Sequence, residues 1–242
     1  MTPLLLAADT GDLASASVEL VRVLDLLGVA ANVLLAGVLA REKKFDLVGF
    51  LVLGVAAGLG GGMIRDTLLQ RGTPVALTDL SYLSVALVTA VVAYLVHVEG
   101  RWWSRGVRVL DAIALGTWGA VGAQRAIAAG LHWLPALMLG TITAVGGGMV
   151  RDLMLRRTPI VFGGNTLYAT CATAAAGVVV MADYLTSSEH QGLTTLLAAV
   201  VGGTFCLLSY RLGWRLPEAR DWRPRRPRRP RRPATRRRRG TA

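Results

Sequence analysis

The chain has 242 residues, 53% hydrophobic and 17% charged, with a mean hydropathy of +0.48. A soluble domain carries about a quarter charged residues and could not hide this much apolar surface, so the composition excludes an ordinary soluble globule and points to the bilayer as solvent. The net charge of +12 looks like nucleic-acid binding, but residues 220–242 hold 12 of the 27 Lys and Arg against one acid, while residues 1–219 hold 15 basic and 14 acidic residues. The body is near neutral, a basic tail follows it, and no nucleic-acid partner is expected.

Residues 1–17 contain Asp9 and Asp12 and no basic residue. Without a basic n-region they do not read as a cleaved signal peptide but as a short extracytoplasmic N-terminus. A spanning helix takes about 20 mostly apolar residues. Seven stretches answer that description: 21–40, 47–69, 80–98, 107–127, 133–155, 165–185 and 193–212. The first and fourth are the weaker ones, because Asp25 and Asp111 lie near their starts. Short segments rich in Gly, Pro, Asn or charge separate them, at 41–44, 72–74, 99–106, 130–132, 156–159 and 187–192. Cys171 and Cys206 both fall in apolar runs, with no metal-ligand spacing and no disulfide framework. In the tail, Pro224, Pro227, Pro230 and Pro233 recur every three residues between arginines, a period that suits solvated polyproline II. Residues 220–242 are expected to be a disordered cytoplasmic arm, with Arg223 to Arg239 available to anionic lipid.

Loop charges orient the chain. With the C-terminus in the cytoplasm, eleven basic residues of the body lie inside, from Arg41, Lys43 and Lys44 to Arg211 and Arg215. Only Arg22, Arg65, Arg71 and Arg125 lie on the other side. That asymmetry obeys the positive-inside rule. The expected placement is a multi-pass protein of the cell (inner) membrane with the N-terminus outside.

The strongest internal signal is a repeat at a spacing of 86 residues. Val21–Asp25 recurs identically as Val107–Asp111. Gly60-Gly61-Gly62-Met63-Ile64-Arg65-Asp66 recurs as Gly146-Gly147-Gly148-Met149-Val150-Arg151-Asp152. Tyr82 matches Tyr168 at the same offset. Each copy, 18–98 and 107–185, holds three spans, an odd number, so the second enters the membrane from the opposite side. The fold class expected is an all-α membrane protein: an inverted 3+3 repeat plus a seventh helix at 193–212.

Glycine costs about 1 kcal/mol against alanine in an aqueous helix interior, and less in membrane helices, so each triplet needs a compensation. One account is close helix packing. The other is a helix break lining a polar path, which matched glycine interruptions in two inverted halves indicate. Arg65-Asp66 and Arg151-Asp152 read either as helix-end ion pairs or as the borders of such a path. Asp25 and Asp111 read as carboxylates paired with the preceding Arg22 or Arg108 or a repeat-mate, or as supports of a gate. Tyr82 and Tyr168 read as packing or interface residues, and Gln124 and Arg125 as cavity-lining or span-ending groups.

Taken together, the doubled Gly-Gly-Gly-x-x-Arg-Asp motif, the aspartates opening spans 1 and 4 and the three-plus-three-plus-one layout resemble the prokaryotic branch of the trimeric intracellular cation (TRIC) channel family, over roughly residues 18–212. Some prokaryotic relatives carry a glycine-transporter label for the three-span unit. The resemblance implies a homotrimer with a pore in each protomer, among spans 1, 2, 4 and 5. It implies helices kinked at Gly60, Gly61, Gly62 and Gly146, Gly147, Gly148. Asp25, Arg65, Asp66, Asp111, Arg151 and Asp152 would lie beside the path. It implies permeant K+ or Na+ near the triplets, with no cofactor and no dedicated metal site. Animal members bind phosphoinositide through extra basic residues in the fourth span. Here that span has Arg125 and no partnering lysine, so this lipid site does not carry over. The alternative from the residues is a secondary transporter of glycine or a similar zwitterion. An enzyme is not expected, because no nucleophile–base pair, metal cluster or P-loop stands out.

Overall fold

The computed structural model describes residues 3–96, 101–162, 167–186 and 191–215; the basic arm at 220–242 lies outside them. In chain order the elements are α1 (Pro3–Glu42), α2 (Leu47–Leu69), a single turn α3 (Val75–Thr78), α4 (Leu80–Leu95), α5 (Arg101–Ala128), α6 (Trp133–Met154), a 3-10 turn (Ile160–Phe162), α7 (Tyr168–Thr186) and α8 (Gln191–Leu212). Five segments are long and apolar enough to cross a membrane: Val18–Glu42 of α1, and α2, α6, Tyr168–Leu185 of α7 and α8. A sixth apolar helix, α4, is shorter. The chain is therefore a multi-pass helical membrane protein.

The helix ends follow from their sequences. Asp46 caps α2 by accepting a bond from the Gly49 amide at 2.8 Å, and Asp79 caps α4 through the Ser81 amide at 2.9 Å. At the end of α5 the Leu131 amide reaches back to Ala126 O (3.1 Å) and Gly130 to Ile127 O (2.7 Å), with Gly130 at φ +81°. This is the Schellman closure, which requires a left-handed residue and so favours glycine.

Among these elements α5 holds the centre. It is too polar to count as a membrane span by composition, with Arg105, Arg108, Asp111 and Arg125 along its length. The structure gives the reason: α5 packs against α1, α6, α7 and α8, and residues 114–124 are buried without interruption. It faces protein more than lipid and needs little apolar surface. Three glycines one turn apart let three neighbours approach. A Cβ on Gly116 would stand 2.4 Å from Ala199 O of α8, one on Gly119 2.6 Å from Ala172 O of α7, and one on Gly122 2.8 Å from Gly140 Cα of α6. The expected start of this element at 107 is corrected to Arg101, and helical backbone in α1 begins at Pro3, well before 21. The exposed large side chains, such as Val52, Val88, Met138 and Val200, give the bundle an apolar exterior that suits lipid.

Candidate functional site

The two glycine triplets meet at the crossing of α2 and α6. A Cβ on Gly61 would stand 2.2 Å from Thr143 O, and a Cβ on Gly147 would stand 2.2 Å from Ala57 O. A Cβ on Gly146 would lie 3.2 Å from the Gly61 Cα. The outer glycines are less confined: the nearest atoms to such a carbon are Val150 Cγ2 at 3.4 Å for Gly60 and Arg65 Nη2 at 3.6 Å for Gly62. The expected helix break is corrected here, because α2 and α6 run as continuous helices through both triplets. What compensates for the glycines is main-chain contact, in which the small residues bring two backbones to van der Waals distance.

One turn beyond the α2 triplet, Arg65 is 1% exposed and folds back so that Nε donates to Asp66 Oδ1 at 2.7 Å. Asp66 Oδ2 accepts from the Val75 amide at 3.0 Å, fixing the short α3 turn beneath α2. Arg65 Nη1 lies 3.7 Å from Asp25 Oδ2 and has no hydrogen-bond partner. Asp25 is 2% exposed, and its Oδ2 accepts from Tyr82 Oη at 3.0 Å and from Arg125 Nη2 at 2.8 Å. The same Arg125 nitrogen also reaches Tyr82 Oη at 3.0 Å. Trp118, 1% exposed, points its indole N–H at the Asp25 carbonyl, 3.4 Å away. Two carboxylates and two guanidiniums from α1, α2 and α5 thus neutralise one another, as buried charges must.

The second triplet has a related but unequal setting. Arg151 Nε donates to Asp152 Oδ1 at 3.0 Å, and Asp152 Oδ2 accepts from the Ile160 amide at 3.3 Å. Asp111 receives Tyr168 Oη at 3.2 Å on Oδ1 and Tyr210 Oη on Oδ2. A Cβ on Gly148 would stand 3.4 Å from that Tyr168 hydroxyl.

Two open cavities reach the first network from one end of the bundle. One, of about 290 Å³, is lined by Asp66, Arg71, Thr73, Val75 and Arg125 among others. The other, of about 330 Å³, is lined by Arg22, Asp79, Tyr82, Gln124 and Arg125 among others. Asp66 also borders a small inner cavity of about 10 Å³, with Asp25, Gly58, Gly62, Arg65 and Tyr82. That is room for about one water. Outside these spans, Asp79 is held by Arg22, whose Nε donates to Oδ2 at 2.8 Å, and this hydrogen bond lowers its pKa to about 2.

The structure thus gathers Asp25, Arg65, Asp66 and the α2 triplet on one side of the crossing. Asp111, Arg151, Asp152 and the α6 triplet are gathered on the other. It corrects the partners of the aspartates. Arg22 pairs with Asp79 and Glu19, Arg108 is exposed, and the tyrosines hold Asp25 and Asp111. The signal for the tyrosines was present, since Asp25–Tyr82 and Asp111–Tyr168 share one separation of 57 residues. Arg125 and Tyr210 give no such signal. The position 86 residues before Arg125 is Leu39, and Tyr210 lies beyond the second copy.

A helical membrane protein with two glycine-apposed helices and buried arginine–aspartate pairs beside them is the class that this geometry defines. Comparison with known proteins agrees. The family described as "Glycine transporter" matches twice, over residues 22–98 and 108–184, and the chain belongs to that family. A UPF0126 membrane protein of Deinococcus radiodurans is 37% identical over 176 residues, covering 72% of this chain and 82% of the relative. A solved structure described as "Structural basis for conductance through TRIC cation channels" aligns with TM-score 0.74 and 27% identity, covering 82% of this chain and 97% of that one. The TRIC trimeric intracellular cation channel orthologue from Rhodobacter sphaeroides aligns with TM-score 0.71 and 26% identity, covering 80% and 98%.

Proposed function

We propose that the chain is a monovalent-cation channel, permeable to K+, with a conduction path inside each protomer of a homotrimer. The observation that carries this reading is the joint one: a bundle superimposable on TRIC channels, with its paired glycine helices flanked by buried charge. Seven spans, arranged as an inverted 3+3 repeat with α8 added, account for the twofold family match and for the reciprocal contacts of Gly61 and Gly147. The path passes the α2–α6 crossing. The vestibule cavities at Asp66 and Arg125 form one mouth, facing away from the cytoplasm under the positive-inside rule. In the conformation described, the backbones touch at Gly61 and Gly147, and this contact is the closed gate. Opening requires α2 and α6 to part or bend at the triplets, a small hinge or shear displacement. The arginines at Arg65 and Arg151 offset the aspartates, so discrimination among monovalent cations is weak. The protein resides in the inner membrane with its arginine tail on the cytoplasmic face, against anionic lipid.

The family's description favours a second reading, transport of glycine. In it the vestibule, which presents Arg71, Arg125 and Asp66 together, would receive the carboxylate and ammonium of a zwitterion. One preparation separates the two. Full-length protein in liposomes is assayed for K+ flux down a K+ gradient and, in parallel, for radiolabelled glycine uptake. Flux without saturable uptake is the expected outcome. Saturable uptake without ionic leak would overturn the channel reading and make the vestibule a substrate site.

A further inference from the structure

The two halves carry their charge differently, and Asp111, unlike Asp25, is only half-buried. Around Asp25 and Asp66 stand two guanidiniums, Arg65 and Arg125, and the first network balances. Around Asp111 and Asp152 stands one, Arg151, and its ion pair is with Asp152. Among the described residues Asp111 has no arginine or lysine nitrogen within 4.0 Å. Where the repeat would place a second Arg125, the sequence has Leu39. Among the described residues, the cluster around Asp111 and Asp152 therefore holds one carboxylate more than its cations.

We propose that Asp111 is a proton-binding site, and that loading and unloading this proton modulates conduction through α8. The reaction is the transfer of H+ from hydronium to a carboxylate oxygen, leaving water and a neutral carboxylic acid. A proton cancels the excess charge, and the neutral acid keeps acceptor capacity for the phenols through weaker, uncharged hydrogen bonds. An alkali ion would have to compete with O–H dipoles whose positive ends already point at both carboxylate oxygens. An uncompensated charge at membrane depth is among the costliest things a fold can hold, so an exchangeable proton is the simplest neutraliser. The groups facing Asp111 are Arg151 and Asp152 of α6, Tyr168 and Cys171 of α7, and Cys206 and Tyr210 of α8. On α1, which also packs against α5, Asp25 is engaged by Arg125 and Arg65, Arg22 by Asp79 and Glu19, Arg41 by the carbonyls at the end of α4, and Glu42 by Arg157. On α5 itself Arg108, one turn away, is exposed.

The site has a mechanical outlet at each end. Tyr168 Oη lies 3.4 Å from where a Cβ on Gly148, the third glycine of the α6 triplet, would stand. Tyr210 ties α8 to α5 by a hydrogen bond that is charge-assisted only while Asp111 is ionised. Protonation weakens that tie and frees α8 to shift against α5. The link to conduction rests on the channel reading; the proton site itself does not.

The test is pH-stepped infrared difference spectroscopy on the full-length protein in lipid vesicles, beside K+ flux measured over the same pH steps. Acidification is expected to raise a carboxylic C=O band that Asp111→Asn removes. Tyr210→Phe should keep the band and displace its midpoint, which keeps the test open if Asp111→Asn fails to fold. Flux is expected to change with pH over the same interval, and to lose that dependence in Asp111→Asn. A spectrum with no band that either variant alters would overturn the proposal. So would a band that K+ removes at constant pH, since the site would then hold the permeant ion. A titrating band with pH-independent flux would overturn the link to conduction. A titrating band with no K+ flux at any pH would instead reject the channel reading and leave the proton site standing.

Discussion

Gly61 and Gly147 make the same contact from its two sides. Each middle glycine lies under a carbonyl of the opposing helix, Thr143 O for Gly61 and Ala57 O for Gly147, and the two imagined β-carbons meet those oxygens at the same 2.2 Å. Thr143 and Ala57 are themselves 86 residues apart, as the glycines are. The contact is therefore reciprocal, as a two-fold relation between the α2 and α6 regions would make it. It also couples the helices, because neither triplet can move without changing the surface that the other packs on.

This reciprocity sets the two middle glycines apart from Gly60 and Gly62, the outer pair of the α2 triplet. Gly61→Ala and Gly147→Ala each place a methyl against a rigid carbonyl, so the crossing must widen. Overpacking of this kind costs about 1–3 kcal/mol. Gly60→Ala and Gly62→Ala find room, with nearest atoms at 3.4 and 3.6 Å, and gain up to about 1 kcal/mol of helix propensity. Thermal unfolding in detergent should rank the middle-position variants below the wild type and the outer ones at or above it. Equal stability for all four would mean that the crossing is not the tight contact described.

The charge network around Asp25 predicts a second ranking. Arg65 has a side chain 2% exposed and is shared between Asp66 and Asp25, whereas the Arg125 side chain is 23% exposed beside the vestibules. Removing one partner from a buried pair costs about 3–5 kcal/mol, because the orphaned charge remains. Arg65→Gln should approach that loss, and Arg125→Gln should fall below it because water reaches the site. In a double-mutant cycle, Asp25→Asn with Arg125→Gln should show coupling of about 0.5–3 kcal/mol. Strict additivity would show that the Arg125–Asp25 bond adds nothing.

The sequence made most of this fold legible, for a physical reason. Helices that face lipid must be apolar along their length, so α2 could be bounded at 47–69 before the structure and is found at Leu47–Leu69. The central helix α5 was legible only as the weaker span from 107, because protein surrounds it and the carboxylate that answers Arg125, Asp25, lies 100 residues away. The glycine triplets were legible as a pair but not in their conformation. A triplet's composition permits both a break and a close crossing, and only the partner helix decides between them. Tyr82 and Tyr168 were visible as repeats, yet a phenol in an apolar run looks like packing until its hydroxyl has an aspartate to meet. Arg125 was visible as a cavity-lining group, which it is, but its bond to Asp25 was hidden, as was Tyr210, because the asymmetry of the two halves is what gives them these roles.

At the opposite end of α4 from its Asp79 cap, Arg41 closes the helix. Its Nη2 reaches the carbonyls of Ala93 at 2.6 Å, Tyr94 at 2.9 Å and Val96 at 3.0 Å, and its guanidinium lies 5.6 Å from the Phe50 ring. A cation at a helix C-terminus contributes about 0.3–1 kcal/mol at an exposed site. Arg41→Ala should speed hydrogen exchange at the amides of the last turn of α4 and leave its first turn unchanged. Uniform exchange along α4 in the variant would mean that Arg41 supports the helix as a whole.

The first turn of α4 has its own pH dependence. Asp79 accepts from Arg22 and from the Ser81 amide, and these bonds hold its pKa at about 2, below the ~3.9 of an unperturbed aspartate. Because the folded value is the lower one, the carboxylate's contribution is fully present above the unfolded pKa. It fades as pH falls from there through the folded value and is gone below both. The window therefore lies between about pH 4 and pH 2, well below neutrality. Hydrogen exchange at the start of α4, corrected for the intrinsic rate, should stay protected from neutral pH down to that window and rise within it. Asp79→Asn keeps a capping oxygen but loses the charge that Arg22 answers, so its exchange should already be faster at neutral pH and flat through the window. Wild-type protection that first falls near neutrality would show that a different group controls this end of the helix.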